Sequence, residues 1–380
     1  MNGLQMLLLN NSGTTFSNVN IVDKCFTYRL QGSEITDSSL SSMISFANTI
    51  LHKYADIKLP IVFQLGSAPF ADKLIYVLFE CLCDCLIEDY KYDVRVIFSQ
   101  RGAIHTAGIR TSPLLILGST LEETREKFPD AFASGLSTGR HFRRLLTRDE
   151  ICGTDALCKM FDQIVHFQEM FDVNIDCSDA VAEVIVELVG NAGEHGQSDC
   201  LIDFDVAPHY TKRDSDGEYV GLNIAVVNFS SQLLGSSLKK KILSSQDLDE
   251  RYRIVLDAFQ NHQVFFNDSY DENDFFNITA FQHKISGRRD SVLVGGTGLT
   301  KLIESLERRA DAHNCYMTSG NKRMWFRHQH LRYNDGWIGF NLQNDYVNSR
   351  PDASVLSRNK FYIPGTAYNL NFVMKVERKE

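Results

Sequence analysis

The chain has 380 residues, 43% of them hydrophobic and 23% charged, enough to bury a sizeable core in two domains or one large domain with insertions. Its formal net charge of −9 argues against a nucleic-acid-binding surface as the main business. No apolar run reaches the roughly 18 residues that span a bilayer, which excludes a membrane-spanning protein.

The opening run, Met6-Leu7-Leu8-Leu9, has neither a basic segment nor a small-residue cleavage site, and reads as a first strand rather than a secretion signal. Nine cysteines are scattered without metal-type pairing. Cys81, Cys83 and Cys85 are the closest set, but they fall in a helical run where residues two apart point in different directions. The odd count and missing signal predict free thiols in a reducing cytosol, and so a cytoplasmic protein.

Over residues 1 to about 150, strand-like runs at Lys24 to Leu30, Pro60 to Leu65, Tyr92 to Ser99 and Leu114 to Leu117 are rich in β-branched and aromatic side chains. Between them, Ser39 to Tyr54 and Phe70 to Glu88 have helical periodicity. The alternation predicts an α/β layer domain, a regulatory or partner-binding unit, without a catalytic motif. Arg101, Gly102, Ala103 and His105 read as a plain loop after a strand. The polar stretch Glu122 to His141 suits a connecting segment.

From about residue 151 the pattern changes. Asp155 to Phe171 repeats Leu157, Met160, Phe161, Ile164 and Val165 at helical spacing. His166 on this helix lacks the following acid and the downstream proline of a phosphoacceptor histidine, and reads as a packing or surface residue. A second helix is expected to start at a Ser178 cap, with Asp179 in its first turn. Val181, Val184, Ile185, Leu188 and Ala192 form its apolar stripe, and Glu183, Glu187 and Asn191 stack four residues apart on a neighbouring face. Carboxylates and an amide with no interspersed cation, near His195 and beside Gly190 and Gly193, suit a magnesium–phosphate complex, because hard cations want oxygen.

Strands follow at Leu201 to Ala207 and Gly221 to Asn228, joined across Asp214-Ser215-Asp216-Gly217 as a hairpin. Ser230 to Ser245 reads as loop then helix, and residues about 246 to 290 as an irregular stretch of the kind that forms a lid. Gly295-Gly296-Thr297-Gly298-Leu299 then opens directly into a helix over Leu302 to Ala310, where backbone N–H groups and the helix dipole can face an anion. Asn314 to Thr318, a Ser319-Gly320-Asn321-Lys322 turn and Arg323 to Arg327 suggest another hairpin, and Gly365-Thr366 introduces a last strand, Tyr368 to Val376.

The ordered set resembles the GHKL, or Bergerat-fold, ATP-binding family of histidine kinases, type II topoisomerases, mismatch-repair ATPases and anti-sigma-factor kinases. The resemblance covers about residues 155 to 378, and Glu187-x-x-x-Asn191-Ala192-x-x-His195 is its most specific part. It implies an α+β sandwich, with a mixed sheet carrying helices on one face, a lid insertion at about 235–290, and bound ATP with Mg2+. By position, Asn191 would be the magnesium ligand, Glu187 the group that polarises the attacking water, and Gly295, Gly296, Thr297, Gly298 and Leu299 the phosphate loop. His195 and Asn228 would complete the nucleotide site. Where the family has an Asp-x-Gly-x-Gly run whose Asp accepts from the adenine amino group, this chain has Asn228-Phe229-Ser230-Ser231-Gln232. An amide accepts as a neutral partner, at roughly half the strength of a charge-assisted bond.

The resemblance implies a slow Mg-dependent ATPase or an ATP-driven switch in bacterial signalling or defence. The protein partner would engage residues 1–150, and a homodimer is the family's common assembly. A protein serine kinase of the anti-sigma type, or a degenerate partner-binding module without catalysis, are the alternatives.

Overall fold

The structure is a computed structural model, which describes residues 3–13, 16–17, 19–98, 112–135, 139, 141–153, 155–210, 218–245, 247–285, 298–309 and 314–376. The N-terminal unit opens on helix α1 (Gln5–Leu9), then strands β1 (Asn20–Val22) and β2 (Cys25–Arg29), helix α2 (Asp37–Lys53), β3 (Ile61–Gly66), α3 (Lys73–Asp84) and β4 (Val94–Phe98). The predicted first strand is a helix instead. Leu4, Leu7 and Leu8 fall at i, i+3 and i+4 and are all buried, which a strand with its two-residue repeat could not achieve. Strands β2, β3 and β4 run parallel in the order β1-β2-β3-β4, and β1 pairs antiparallel with β2, so this sheet is mixed. Helices α2 and α3 are its crossovers.

Short helices follow at α4 (Leu114–Leu117), α5 (Glu122–Arg125) and α6 (Phe128–Ser134). The strand expected at Leu114 to Leu117 is thus one helical turn, begun at Pro113, whose ring favours the first turn of a helix. The loop expected around Arg101 and His105 lies outside the described residues.

The second sheet is built from β5 (His141–Leu146), β6 (Cys200–Tyr210), β7 (Tyr219–Asn228), β8 (Tyr316–Trp325) and β9 (Leu356–Lys375). Its order is β5-β6-β7-β9-β8, and every pairing is antiparallel. The α+β sandwich expected from the sequence is present, with the mixed pairing in the N-terminal sheet and not in this one. Strand β5 precedes residue 150 in the chain but belongs to this sheet. The residues of the expected 319–322 turn do not fold back. Strand β8 runs straight through them with two register shifts, and Gly320 takes a positive φ of 63° at the bulge.

Helices α7 (Arg148–Ile151), α8 (Ala156–Glu169), α9 (Ile175–Asn191), α10 (Ser236–Ser244), α11 (Glu250–His262), α12 (Glu272–Thr279) and α13 (Gly298–Arg309) accompany this sheet. The α9 cap is Asn174, not Ser178: its side chain accepts from the backbone N–H groups of Asp176 and Cys177, while Ser178 is buried in the helix. Asn174 is as good a cap as serine and lies beside Val173, which is pinned to the sheet edge by a bridge to Val376. The stretch expected to be an irregular lid instead carries two helices, α11 and α12, whose Val255, Phe259, Phe275 and Phe276 are buried. Aromatic crowding hid the helical period there.

Alternation along the strands sorts two cores. Ile202, Phe204, Ile224, Val226, Tyr368 and Leu370 face a core completed by α8, α9 and α13. Their neighbours Leu201, Ala225, Val227 and Ala367 face α2 and α3 in the other core. The sheet therefore has helices on both faces, the second layer being supplied by the N-terminal unit. On that back face, Asp203 and Asp205 would read as solvent-facing. Instead, buried Lys73 of α3 pairs with both, and Arg143 of β5 pairs with Glu80 of α3 and with Asp203. A chain of amides continues across the sheet. Asn223 donates to Asp205, Asn371 to Asn223 and Asn369 to Asn371, and the Leu74 N–H donates back to Asn369. Each residue of the cluster thereby has at least one partner, while Arg143 Nη1 is buried without a hydrogen bond.

Candidate functional site

Helix α9 does not end in an ordinary last turn. It passes at Ala192–Gly196 into a π turn and stops at Gln197 in the left-handed region. Such a widened turn is often found where a helix end serves a function. Two ties fix it to the end of β7. The Asn228 side-chain N–H donates to Ser198 Oγ at 3.1 Å, and Ser230 Oγ donates to the Gly196 carbonyl at 2.5 Å. The approach is close enough to demand glycine: a β-carbon on Gly196 would lie 2.8 Å from Asn228 Nδ2. Gly365 of β9 has a φ of +86° and would place a β-carbon 2.3 Å from the Asn228 carbonyl oxygen.

A cleft of about 110 Å³ opens in front of this junction. One wall is α9 and its π turn, with Glu187, Leu188, Asn191, Ala192, His195 and Gly196. The floor is Asn228, Thr366 and Tyr368 from the paired strands β7 and β9, where Asn228 and Thr366 stand opposite each other in register. The far wall is the segment Gln232 to Gly235 and the start of α10, with Leu299 of α13 closing one end. Glu187, Asn191, His195, Asn228 and Leu299 are therefore brought to one place from three separate stretches of chain. Gly298 opens α13 as expected, while Gly295, Gly296 and Thr297 lie outside the described residues.

The acidic row of α9 is divided. Glu183 pairs with Lys301 of α13 at 3.0 Å, which leaves Glu187 and Asn191 as the row's members on the cleft. Burial pushes the His195 imidazole below its usual pKa, against the opposing pull of Glu187. Of the two glycines expected to make room for phosphate, Gly193 does another job: a β-carbon there would come within 2.5 Å of Ile151, so it admits α7 against the end of α9, whereas one on Gly190 would meet Leu157 only at an ordinary contact distance of 3.8 Å.

The remaining cleft walls were not singled out from sequence. Thr366 follows the Gly365 that the strand signal had marked, so its position was readable. Leu233 and Leu234 carried no signal, and Gln232 was marked only as the position where the Asp-x-Gly-x-Gly run has its last glycine. Gly235 did, as a glycine just before a helical run: its φ is +78°, and a β-carbon would lie 2.7 Å from the Phe276 carbonyl of α12.

The donor chemistry of the wall fits magnesium bound to a polyphosphate. Magnesium keeps several waters and takes one or two protein oxygens beside the phosphates, so it needs no cage. Among the described residues no group of three or more His, Cys, Asp or Glu side chains gathers as a preformed metal site. The cleft's Leu188, Leu233, Leu238, Ala280, Ile285 and Tyr368 supply apolar surface for a flat ring.

No protein-family model, curated protein or solved structure matches the chain. All nine cysteines are free thiols. No helix among the described residues is long and apolar enough to cross a membrane.

Proposed function

We propose that the chain is an ATP-binding protein of the GHKL type, acting as a slow magnesium-dependent ATPase or as an ATP-driven conformational switch. The observation that carries this reading is the convergence of Glu187 and Asn191 with Asn228 and Thr366 on one cleft, at the end of which α13 begins. In this reading Asn191 contributes an oxygen to Mg2+, which neutralises phosphate charge when bound. Glu187, one helical turn earlier, orients and deprotonates the attacking water. The first N–H groups of α13 and its dipole favour the phosphates. Asn228 and Thr366 meet the polar edge of the base, and the leucines and Tyr368 cover its faces.

The N-terminal unit then receives a protein partner or signal. Its helix α3 lies against the back of the sheet whose front carries the cleft, so a displacement of α3 acts on the cleft floor directly.

Calorimetry with Mg-ATP on the wild type and Asn191→Ala tests the reading. Binding that loses its magnesium dependence in the variant supports it. No adenine-nucleotide binding by either protein rejects it, and the cleft then belongs to a partner-binding module. Phosphate transferred to a protein rather than released to water would make the enzyme a kinase.

A further inference from the structure

The N-terminal sheet has a cavity of its own, remote in sequence from the cleft. Strands β2 and β3 are parallel and end side by side, with Arg29 paired in register to Gln64. Here a cavity of about 400 Å³ lies at those ends, between the loops that lead to α2 and α3.

Its polar lining is one-sided. Arg29, Gln64, Ser33 and Ser67 supply donors, and the lining holds no carboxylate, in a chain with nine more acids than bases. Arg29 Nε donates to Gln64 Oε1 at 3.1 Å, which aligns the two side chains and leaves the outer guanidinium N–H groups and the Gln64 amide N–H groups for another acceptor. Among the described residues, Arg29 forms no ion pair with any Asp or Glu. A planar cation with parallel donors and no carboxylate partner is the arrangement that grips phosphate.

The two loops repeat one device. Each carries a Gly-Ser pair close after its strand, Gly32-Ser33 three residues beyond β2 and Gly66-Ser67 at the end of β3, and both glycines have positive φ, +134° and +66°. At Gly66 a β-carbon would meet nothing within 4 Å, so no neighbouring side chain dictates the glycine. It sits at a register shift against β4 and turns the backbone at the cavity's edge. From Ser67 the chain runs directly to Asp72 and Lys73, the residues that anchor α3 to the second sheet through Tyr316, Asp203 and Asp205.

We propose that this cavity binds a small oxyanion, inorganic phosphate or a phosphate monoester, through Arg29, Gln64, Ser33 and Ser67. The proposal does not depend on the nucleotide reading of the other cleft.

The test titrates the full chain with inorganic phosphate and, separately, glycerol 3-phosphate, following the amide resonances of Gly32 and Gly66. Saturable shifts are expected in the wild type and equally in Asn191→Ala, with affinity falling about tenfold or more in Arg29→Gln, the loss of roughly one charge-assisted contact. Ser67→Ala, a smaller change on the same lining, should weaken binding in the same direction and serves if Arg29→Gln does not fold. Tighter binding of inorganic phosphate would assign the free ion, and tighter binding of the ester would assign a metabolite. The absence of saturable shifts with either probe overturns the proposal. So does wild-type affinity in both lining variants, or loss of the shifts in Asn191→Ala, which would place the anion in the other cleft.

Discussion

Arg143 of β5 donates to Glu80 of α3 at 2.6 Å, and neither side chain is exposed to solvent. One partner comes from the N-terminal unit and the other from the second sheet, so the pair is a joint between the two. Removing one partner strands a buried charge. Arg143→Met is expected to cost about 3–5 kcal/mol, and Glu80→Leu a similar amount. The double variant should lose much less than the sum, because no orphan charge remains from this pair. Urea denaturation of the full chain measures all three, and additive losses would refute the coupling.

Glu187→Gln keeps the size and hydrogen bonding of the side chain but removes the base. It should bind Mg-ATP about as well as the wild type and release phosphate about 10²–10⁴-fold more slowly. Phosphate release at the wild-type rate would remove Glu187 from the chemistry.

Gly193→Ala would drive a β-carbon into Ile151, with Cγ2 at 2.5 Å and Cβ at 3.1 Å. An overpacked site of this kind costs about 1–3 kcal/mol. Ile151→Ala opens the space, so the pair should show a favourable coupling of about 1 kcal/mol in a double-mutant cycle. Because α7 presses on the π turn that carries His195, Gly193→Ala should also weaken nucleotide binding, and Ile151→Ala should restore part of it.

His262 is buried between Tyr270 and the Tyr346 carbonyl. The geometry suits a neutral ring, with Nε2–H donating to the carbonyl and Nδ1 accepting from the Tyr270 hydroxyl. Burial lowers its pKa, against the pull of the Tyr346 carbonyl. A lowered value in the folded state means the unfolded chain takes up the proton more readily. Stability from this ring is therefore fully present above about pH 6.5 and lost as pH falls from there through the lower folded-state value. His195, lowered in the same direction, adds to the trend. Urea midpoints should drop between pH 8 and pH 5 in the wild type, and the drop should be smaller in His262→Gln. An equal drop in both proteins would rule out His262 as a source.

Much of this architecture was legible because its elements repeat cleanly. Helix α9 showed its apolar stripe and its Glu187–Asn191 face, and the cleft does gather those residues with Asn228. Strands β2, β3, β4, β6 and β7 showed their composition. Local pattern failed where long-range contact decided the outcome. Met6-Leu7-Leu8-Leu9 has no period to distinguish strand from helix until Leu4, Leu7 and Leu8 meet their core. The segment 246–290 lost its period among aromatics that pack on one another, such as Phe259 with Phe275 and Phe276. The alternation Ile202-Asp203-Phe204-Asp205 correctly gave two faces, but it could not say that the polar one would be roofed by Lys73. The hint lay elsewhere: Lys73 and Glu80 are charges in the otherwise apolar run that forms α3.

The sheet that separates the two cores gives the molecule a party wall. Leu201, Ala225 and Val227 belong to one core, and Ile202, Ile224 and Val226, their immediate neighbours, to the other. Neither side can come apart while the other stays intact, because each holds the strands that the other packs on. Heating should therefore produce one calorimetric transition with equal van't Hoff and calorimetric enthalpies, not a stepwise loss of two halves. Cutting the chain near residue 150 should yield two fragments that precipitate alone and recover solubility when refolded together.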